Sequence, residues 1–376
     1  MMYNLRNNNS TKGFSMKKAL ALAVFALSTA IGLSAFAENN DSPIHFHGYG
    51  ELHYGNSDKE GAVSKMDNHR LVLGWTYDFS DRIKFNAEVD FEHAAQEMEL
   101  EFAFIDFLIN KNINFRAGTM LMPVGYLNEF HEPPLFYSVE RPYVQKNIIP
   151  TTWQEGGAGI FGTITDGIRY RAYVVSALNA AGFKASSGIR SGRGKVASAA
   201  SSDLAFVGRL EVERFSGLKL GASVYSGGAA QDDDALGDAG INLIELDARY
   251  RWNAIELTGL FTSIAVDDTE SIHAVTGQVV GETISGGYIE VAYHLRGLVV
   301  PNDMDLVVFA RGENYNTQSD VASGFSADSK YDMTVTTVGV SFMPERRIAV
   351  KADVESWEDG SGKSWRQINL GLGYMY

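Results

Sequence analysis

The feature that most constrains this chain is a two-residue alternation recurring in segments of about ten residues. Ile83, Phe85, Ala87, Val89 and Phe91 alternate with Lys84, Asn86, Glu88, Asp90 and Glu92. From Arg70 to Phe79 the apolar members are Leu71, Leu73, Trp75, Tyr77 and Phe79. In Ile44 to Tyr54 the even positions are apolar or glycine, while the odd ones carry His45, His47, Tyr49, Glu51 and His53. Successive side chains of a strand point to opposite faces, so each run has one apolar and one charged face. A packed sandwich core cannot hold charge at nearly every inward position. A barrel with lipid outside and water inside can. After Glu38 there is no run of 18 apolar residues, so no membrane-spanning helix is expected.

Continuing the alternation predicts strands near 44–55, 68–79, 82–93, 98–109, 112–120, 155–164, 167–177, 203–214, 217–226, 242–252, 254–265, 285–296, 304–315, 331–342, 346–356 and 364–376. Short links such as Ser80-Asp81, Asn110-Lys111, Thr165-Asp166, Ser216 and Pro344-Glu345 alternate with long ones near 56–67, 121–154, 178–202, 227–241, 266–284, 316–330 and 357–363. That pattern predicts an all-β, 16-stranded antiparallel transmembrane barrel, with short periplasmic turns and long external loops. The 93–98 link is the exception, being short where an external loop is expected. Glu99 to Ile105 do not settle which face is which, which leaves room for a bulge there.

Met16-Lys17-Lys18, the apolar run Ala19 to Leu33 and Ala35-Phe36-Ala37 have the form of a secretory signal. Residues 1–37 are therefore expected to be an N-terminal extension and signal peptide, and 38–376 the barrel. Without residues 1–37 the chain has 28 basic and 46 acidic residues, a balance that argues against nucleic acid as a partner. Cysteine is absent, which suits an oxidising compartment without requiring one. Ile368, Leu370, Leu372, Tyr374 and Tyr376 form an apolar stripe ending on an aromatic residue. It resembles the C-terminal signal recognised by the outer-membrane barrel assembly machinery.

Two stretches carry a family resemblance. One is His47-Gly48-Tyr49-Gly50-Glu51-Leu52-His53-Tyr54. The other is Gly118 to Gly162, especially Met122-Pro123-Val124-Gly125, His131-Glu132-Pro133-Pro134 and Thr151-Thr152-Trp153-Gln154-Glu155-Gly156-Gly157. With the strand spacing, these make the chain resemble the bacterial outer-membrane porins grouped with the phosphate-selective porins O and P. The resemblance implies a homotrimer in outer-membrane lipid and lipopolysaccharide, whose third external loop folds inward and narrows the pore. The longest link, about 121–154, stands where that loop is expected. It holds Pro123, Pro133, Pro134, Pro142 and Pro150, five of the chain's eight prolines, which suits a fixed conformation.

Selectivity in a pore follows from charges at its narrowest section. In the loop the candidates are Glu129, His131, Glu132, Glu140, Arg141 and Lys146. Basic candidates on the inner wall are Arg70, Lys84, Arg116, Arg169, Arg171, Arg209, Lys219, Arg249, Arg251, Arg311 and Lys351. Acidic ones include Glu51, Glu88, Asp90, Glu211, Glu213, Glu245, Asp247, Glu290, Glu313 and Asp353. The resulting expectation is a porin passing small hydrophilic solutes or inorganic ions. Arg169/Arg171 and Arg249/Arg251 each share a strand face, as rungs of an anion ladder would, but Glu245 and Asp247 share a face with the second pair. A phosphate- or anion-selective channel is thus the alternative, followed by a non-conducting scaffold or a barrel enzyme. No Gly-x-Ser-x-Gly elbow is present, and no catalytic residues, metal site or cofactor are assigned. His45, His47 and His53 on one inward face could share a metal, although lumen-lining histidines are the plainer reading. Asp232-Asp233-Asp234 reads as a solvated loop tip.

Overall fold

Every alternating run forms a strand in the computed structural model, which describes residues 42–376. The expected signal peptide lies outside the described residues. The strands are β1 (Ile44–Ser57), β2 (Lys65–Ser80), β3 (Ile83–Glu92), β4 (Glu97–Phe107), β5 (Asn114–Leu121), β6 (Gln154–Thr165), β7 (Ile168–Ser176) and β8 (Leu204–Phe215). The second half comprises β9 (Leu218–Gly228), β10 (Gly240–Trp252), β11 (Ile255–Val266), β12 (Thr283–His294), β13 (Asp305–Asp320), β14 (Asp332–Glu345), β15 (Ile348–Asp359) and β16 (Ser364–Met375). Each pairs antiparallel with its chain neighbours, and β1 also pairs with β16, so the sixteen strands close into a barrel without a free edge.

The alternation sorts the two faces as expected. On β10, Ile244 and Leu246 are 54% and 56% exposed, whereas Glu245 and Asp247 between them are 1% and 6% exposed. The apolar set therefore meets the lipid and the charged set faces the interior. Phe79, Phe215 and Trp252 are exposed beside short turns, where an aromatic belt meets the membrane interface. The chain is thus a transmembrane β-barrel.

External loops L1 (58–64), L2 (93–96), L3 (122–153), L4 (177–203), L5 (229–239), L6 (267–282), L7 (321–331) and L8 (360–363) alternate with turns at the opposite end. Two links break the expected lengths. L8 is a four-residue connection where a longer loop was expected, and the 295–304 link at the turn end is longer than the other turns. L6 contains a short helix, α1 (Thr269–Thr276), with no alternation to announce it.

The unsettled run in β4 resolves as a bulge. Glu88 faces Phe102, but Val89 faces Leu100, so Glu101 is an extra residue and turns into the interior, where it is buried.

The expectation of a wet interior at every level needs correction. Towards the external end, the inward residues Val207, Tyr225, Leu243, Ile264 and Ile284 are buried in one apolar cluster. Their partners come from the loops: Met122, Val124 and Trp153 of L3, Leu178 and Ile189 of L4, Leu236 of L5 and Ile272 of α1. Alternation reveals which side of the sheet a residue occupies. It does not reveal that loops will cover that side, where each large apolar side chain gains about 1.5–3 kcal/mol on full burial.

Candidate pore constriction

L3 leaves β5 and returns to β6 through a closed neck. The amide Nδ2 of Asn128 donates to the carbonyls of Met122 (2.8 Å) and Trp153 (3.0 Å), and its Oδ1 accepts the Trp153 N–H at 2.9 Å. Trp153 is fully buried, and its indole N–H donates to Glu155 at 3.1 Å, which also accepts from Ser176 at 2.6 Å. Gly125, at φ 70°, occupies the left-handed region that glycine tolerates best. These contacts account for much of the Met-Pro-Val-Gly and Thr-Thr-Trp-Gln-Glu motifs.

From this neck the loop meets wall residues around the barrel. Its backbone N–H groups donate to carboxylates: Gly125 to Glu245 on β10 (3.3 Å), Val139 to Asp353 on β15 (2.6 Å) and Val144 to Glu313 on β13 (3.1 Å). The Tyr143 hydroxyl donates to Glu355 at 3.0 Å, and the Gln145 amide donates to Tyr288 on β12 at 2.7 Å. Arg311 donates to the Ser138 hydroxyl at 2.6 Å and Lys351 to the Ser138 carbonyl at 2.9 Å. On the near side, Glu129 pairs with Arg171 of β7 at 3.1 Å. His131 pairs with Glu101 and lies 2.7 Å from the Tyr49 hydroxyl, which donates to Glu101 at 3.0 Å. Glu140 accepts from Lys146 at 2.6 Å and lies 3.4 Å from His53. Burial works against its charged form, but Lys146 and His53 outweigh burial and hold the carboxyl well below its ordinary range. Arg141 donates to Thr151 and Thr152 within the loop, and the side-chain Oε2 of Glu132 is buried without a hydrogen-bond partner among the described residues.

Many of the wall charges named from sequence are therefore buried in networks. Arg70 lies among Glu51 (3.3 Å), Asp90 (3.7 Å) and Glu92 (3.1 Å). Arg209 donates to Glu211, Glu245 and Asp247 at 3.1, 3.1 and 2.7 Å. Arg311 meets Glu290 and Glu313 at 3.0 and 2.7 Å. Closer to the turn end, Lys84 pairs with Asp78 (2.8 Å), Arg116 with Asp106 (2.7 Å), and Glu88 with His47 (2.9 Å).

The wall of β7 to β10 differs. Arg171 lies directly opposite Arg209, and Lys219 directly opposite Arg249. Arg169, Lys219 and Arg251 keep about half their side-chain surface exposed, although Arg169 and Lys219 reach Glu213 (2.8 and 3.3 Å) and Arg251 reaches Glu256 (3.9 Å). The Arg249 guanidinium sits 4.4 Å above the Tyr126 ring, and its Nε has no hydrogen-bond partner among the described residues. Lys219, Arg249, Arg251, Arg214, Glu213 and Glu256 border a recess of about 630 Å³ at the turn end.

His45, His47 and His53 do not converge; they face Asp78, Glu88 and Glu51 separately. Sequence reasoning missed Glu101, Glu355 and Tyr288. Glu101 was hidden by its bulge, while Glu355 and Tyr288 share the inward face of Asp353 and Glu290 by the same alternation, but their role depends on a loop remote in sequence.

No family model matches the chain. Among solved structures it is similar to the anion-selective porin from Comamonas acidovorans, at 12% identity and TM-score 0.57, covering 89% of this chain and 99% of that one. It is similar to the outer-membrane channel DcaP of Acinetobacter baumannii, also at 12% identity and TM-score 0.57, over 89% and 97% of the two chains. OprB of Pseudomonas putida matches at 10% identity and TM-score 0.56, over 90% and 95%. These likenesses carry the fold. An uncharacterized protein of Aquifex aeolicus (strain VF5) is 35% identical over 329 residues, covering 82% of this chain and 74% of that protein. The chain belongs to the family of that Aquifex aeolicus protein, and its fold is the sixteen-stranded barrel of the outer-membrane porins.

Proposed function

We propose that the protein is a porin through which small hydrophilic solutes or ions diffuse passively, with L3 folded into the lumen as its constriction. One observation carries this reading: a loop between β5 and β6 bonds to carboxylates on β10, β13 and β15, strands it reaches by crossing the barrel. Hydrogen-bonding wall carboxylates to loop N–H groups holds the constriction in one place, and the charges left exposed set what passes. The functional unit is a homotrimer in lipid and lipopolysaccharide, inserted by the barrel assembly machinery after cleavage behind Ala37. Membership of the phosphate-selective O and P group belongs to the same proposal.

The test is single-channel conductance of the purified mature protein in a planar bilayer, with reversal potential under a KCl gradient. Stable conducting steps support the porin. A folded, heat-modifiable barrel without conductance would instead favour a scaffold or an enzyme. For the constriction, a cysteine replacing Glu132 should react with a bulky impermeant reagent more slowly than one replacing Asp233, and equal rates would remove the inward loop.

A preference for anions is the second reading. It rests on Lys219 and Arg249, set directly across β9 and β10 beside Arg251 and Arg214 at the same recess, since like charges opposed across strands repel unless an anion or acid screens them. Anion-biased reversal with block by added phosphate supports it; cation bias without block excludes it.

A further inference from the structure

At the external mouth, beside the contact of His53 with L3, Asp67, His69 and His93 bring one carboxylate oxygen and two imidazole nitrogens within 4.8 Å of one another. Oδ2 of Asp67 lies 3.2 Å from Nδ1 of His69 and 2.8 Å from Nδ1 of His93. All three side chains keep access to solvent, at 33%, 24% and 41% exposure.

Two irregularities of the backbone bring them together. Glu51 faces Arg70 but Leu52 faces Asn68, so His69 is the extra residue of a bulge and is re-aimed relative to a regular strand. His93 begins L2 with φ 51°, followed by Ala94 at 56° and Ala95 at 67°. Three consecutive left-handed residues without a glycine are costly, and such strain gathers where a site needs a fixed geometry. The turn is held to β2 by the His93 N–H donating to the His69 carbonyl (3.2 Å) and the Ala94 N–H to the Asn68 carbonyl (3.0 Å). The His69 ring is further fixed by stacking on His53 at 4.7 Å and by an edge contact with His93 at 5.7 Å.

We propose that Asp67, His69 and His93 form a binding site for a borderline divalent transition cation such as Zn²⁺, at the outer mouth of the barrel. Two imidazoles and one carboxylate make a donor set of the zinc type with a fourth position left to water. A tetrahedral site with bonds of about 2.0–2.1 Å needs donors about 3.3 Å apart; Asp67 stands 3.2 Å from His69 and 2.8 Å from His93, and the two imidazoles lie within 4.8 Å, so rotation of the partly exposed rings completes the set. A hard cation such as Ca²⁺ prefers six or more oxygens and has one carboxylate here. The site stands against the expectation from sequence of no metal. Neither the bulge nor the left-handed turn that assembles it is visible in the alternation.

The experiment is calorimetric titration of the untagged mature barrel in detergent with Zn²⁺, and in parallel with Ca²⁺. It is repeated on His69→Asn, on His93→Asn, whose asparagine tolerates a left-handed φ, and on a His45→Asn/His47→Asn control. Heat-modifiable gel migration verifies that each variant is folded. We expect one Zn²⁺ per chain, saturable, weakened roughly 100-fold by either single variant and unchanged in the control, with no Ca²⁺ uptake. Absent Zn²⁺ saturation in the wild type, or saturation that survives both single variants, would overturn the site. So would loss of binding in the control alone.

Discussion

Pro133 of L3 rests on Gly373 of β16: a Cβ built at Gly373 would fall inside van der Waals distance of the Pro133 ring. Two residues earlier on the same face, a Cβ at Gly371 would lie 3.1 Å from Val139 of the same loop. These glycines leave the inner wall bare where the loop packs against it. Gly373→Leu should therefore push L3 off β16 and raise single-channel conductance. Gly312→Ala, where an added Cβ has no neighbour within 4 Å among the described residues, should leave it unchanged.

Arg311 is 1% exposed and bridges Glu290, Glu313 and Ser138. Arg311→Met would strand two buried carboxylates and release Ser138. Breaking a buried pair on one side costs about 3–5 kcal/mol. The variant should lose its folded gel mobility at a lower temperature than the wild type, and an unchanged transition would count against a buried network.

Lys219 and Arg249 face each other across β9 and β10. If their charges set the field of the conducting path, Lys219→Glu/Arg249→Glu should move the reversal potential towards cations, changing the permeability ratio roughly twofold or more. No shift would place these residues off the path.

Glu140 has its carboxyl held well below the ordinary 4.5, so its contribution to holding L3 is complete above that value and is lost only as pH falls through the lower folded value. Conductance should therefore be insensitive to this group from neutral pH down to 4.5. Lys146→Met removes the nearest cation and should bring any acid-induced change in conductance to higher pH.

The alternation of Lys84 to Phe91 and its equivalents determined the barrel, its strand number and the inward set of charges, because period two leaves one side of a sheet for lipid and the other for the interior. Links rich in proline marked L3 as a built loop, and the ambiguous run around Glu101 marked its own bulge. Which charges stay available for solutes was not legible. Glu245, Glu313 and Asp353 read as lumen acids, yet they accept backbone N–H groups of a loop that lies far away in the chain. Asp67, His69 and His93 likewise meet only through a bulge in one strand pair and the turn of another. Periodicity acts between near neighbours and assigns faces. The partners of a buried charge are chosen by segments distant in sequence that closure of the barrel brings together, and that choice belongs to the tertiary structure alone.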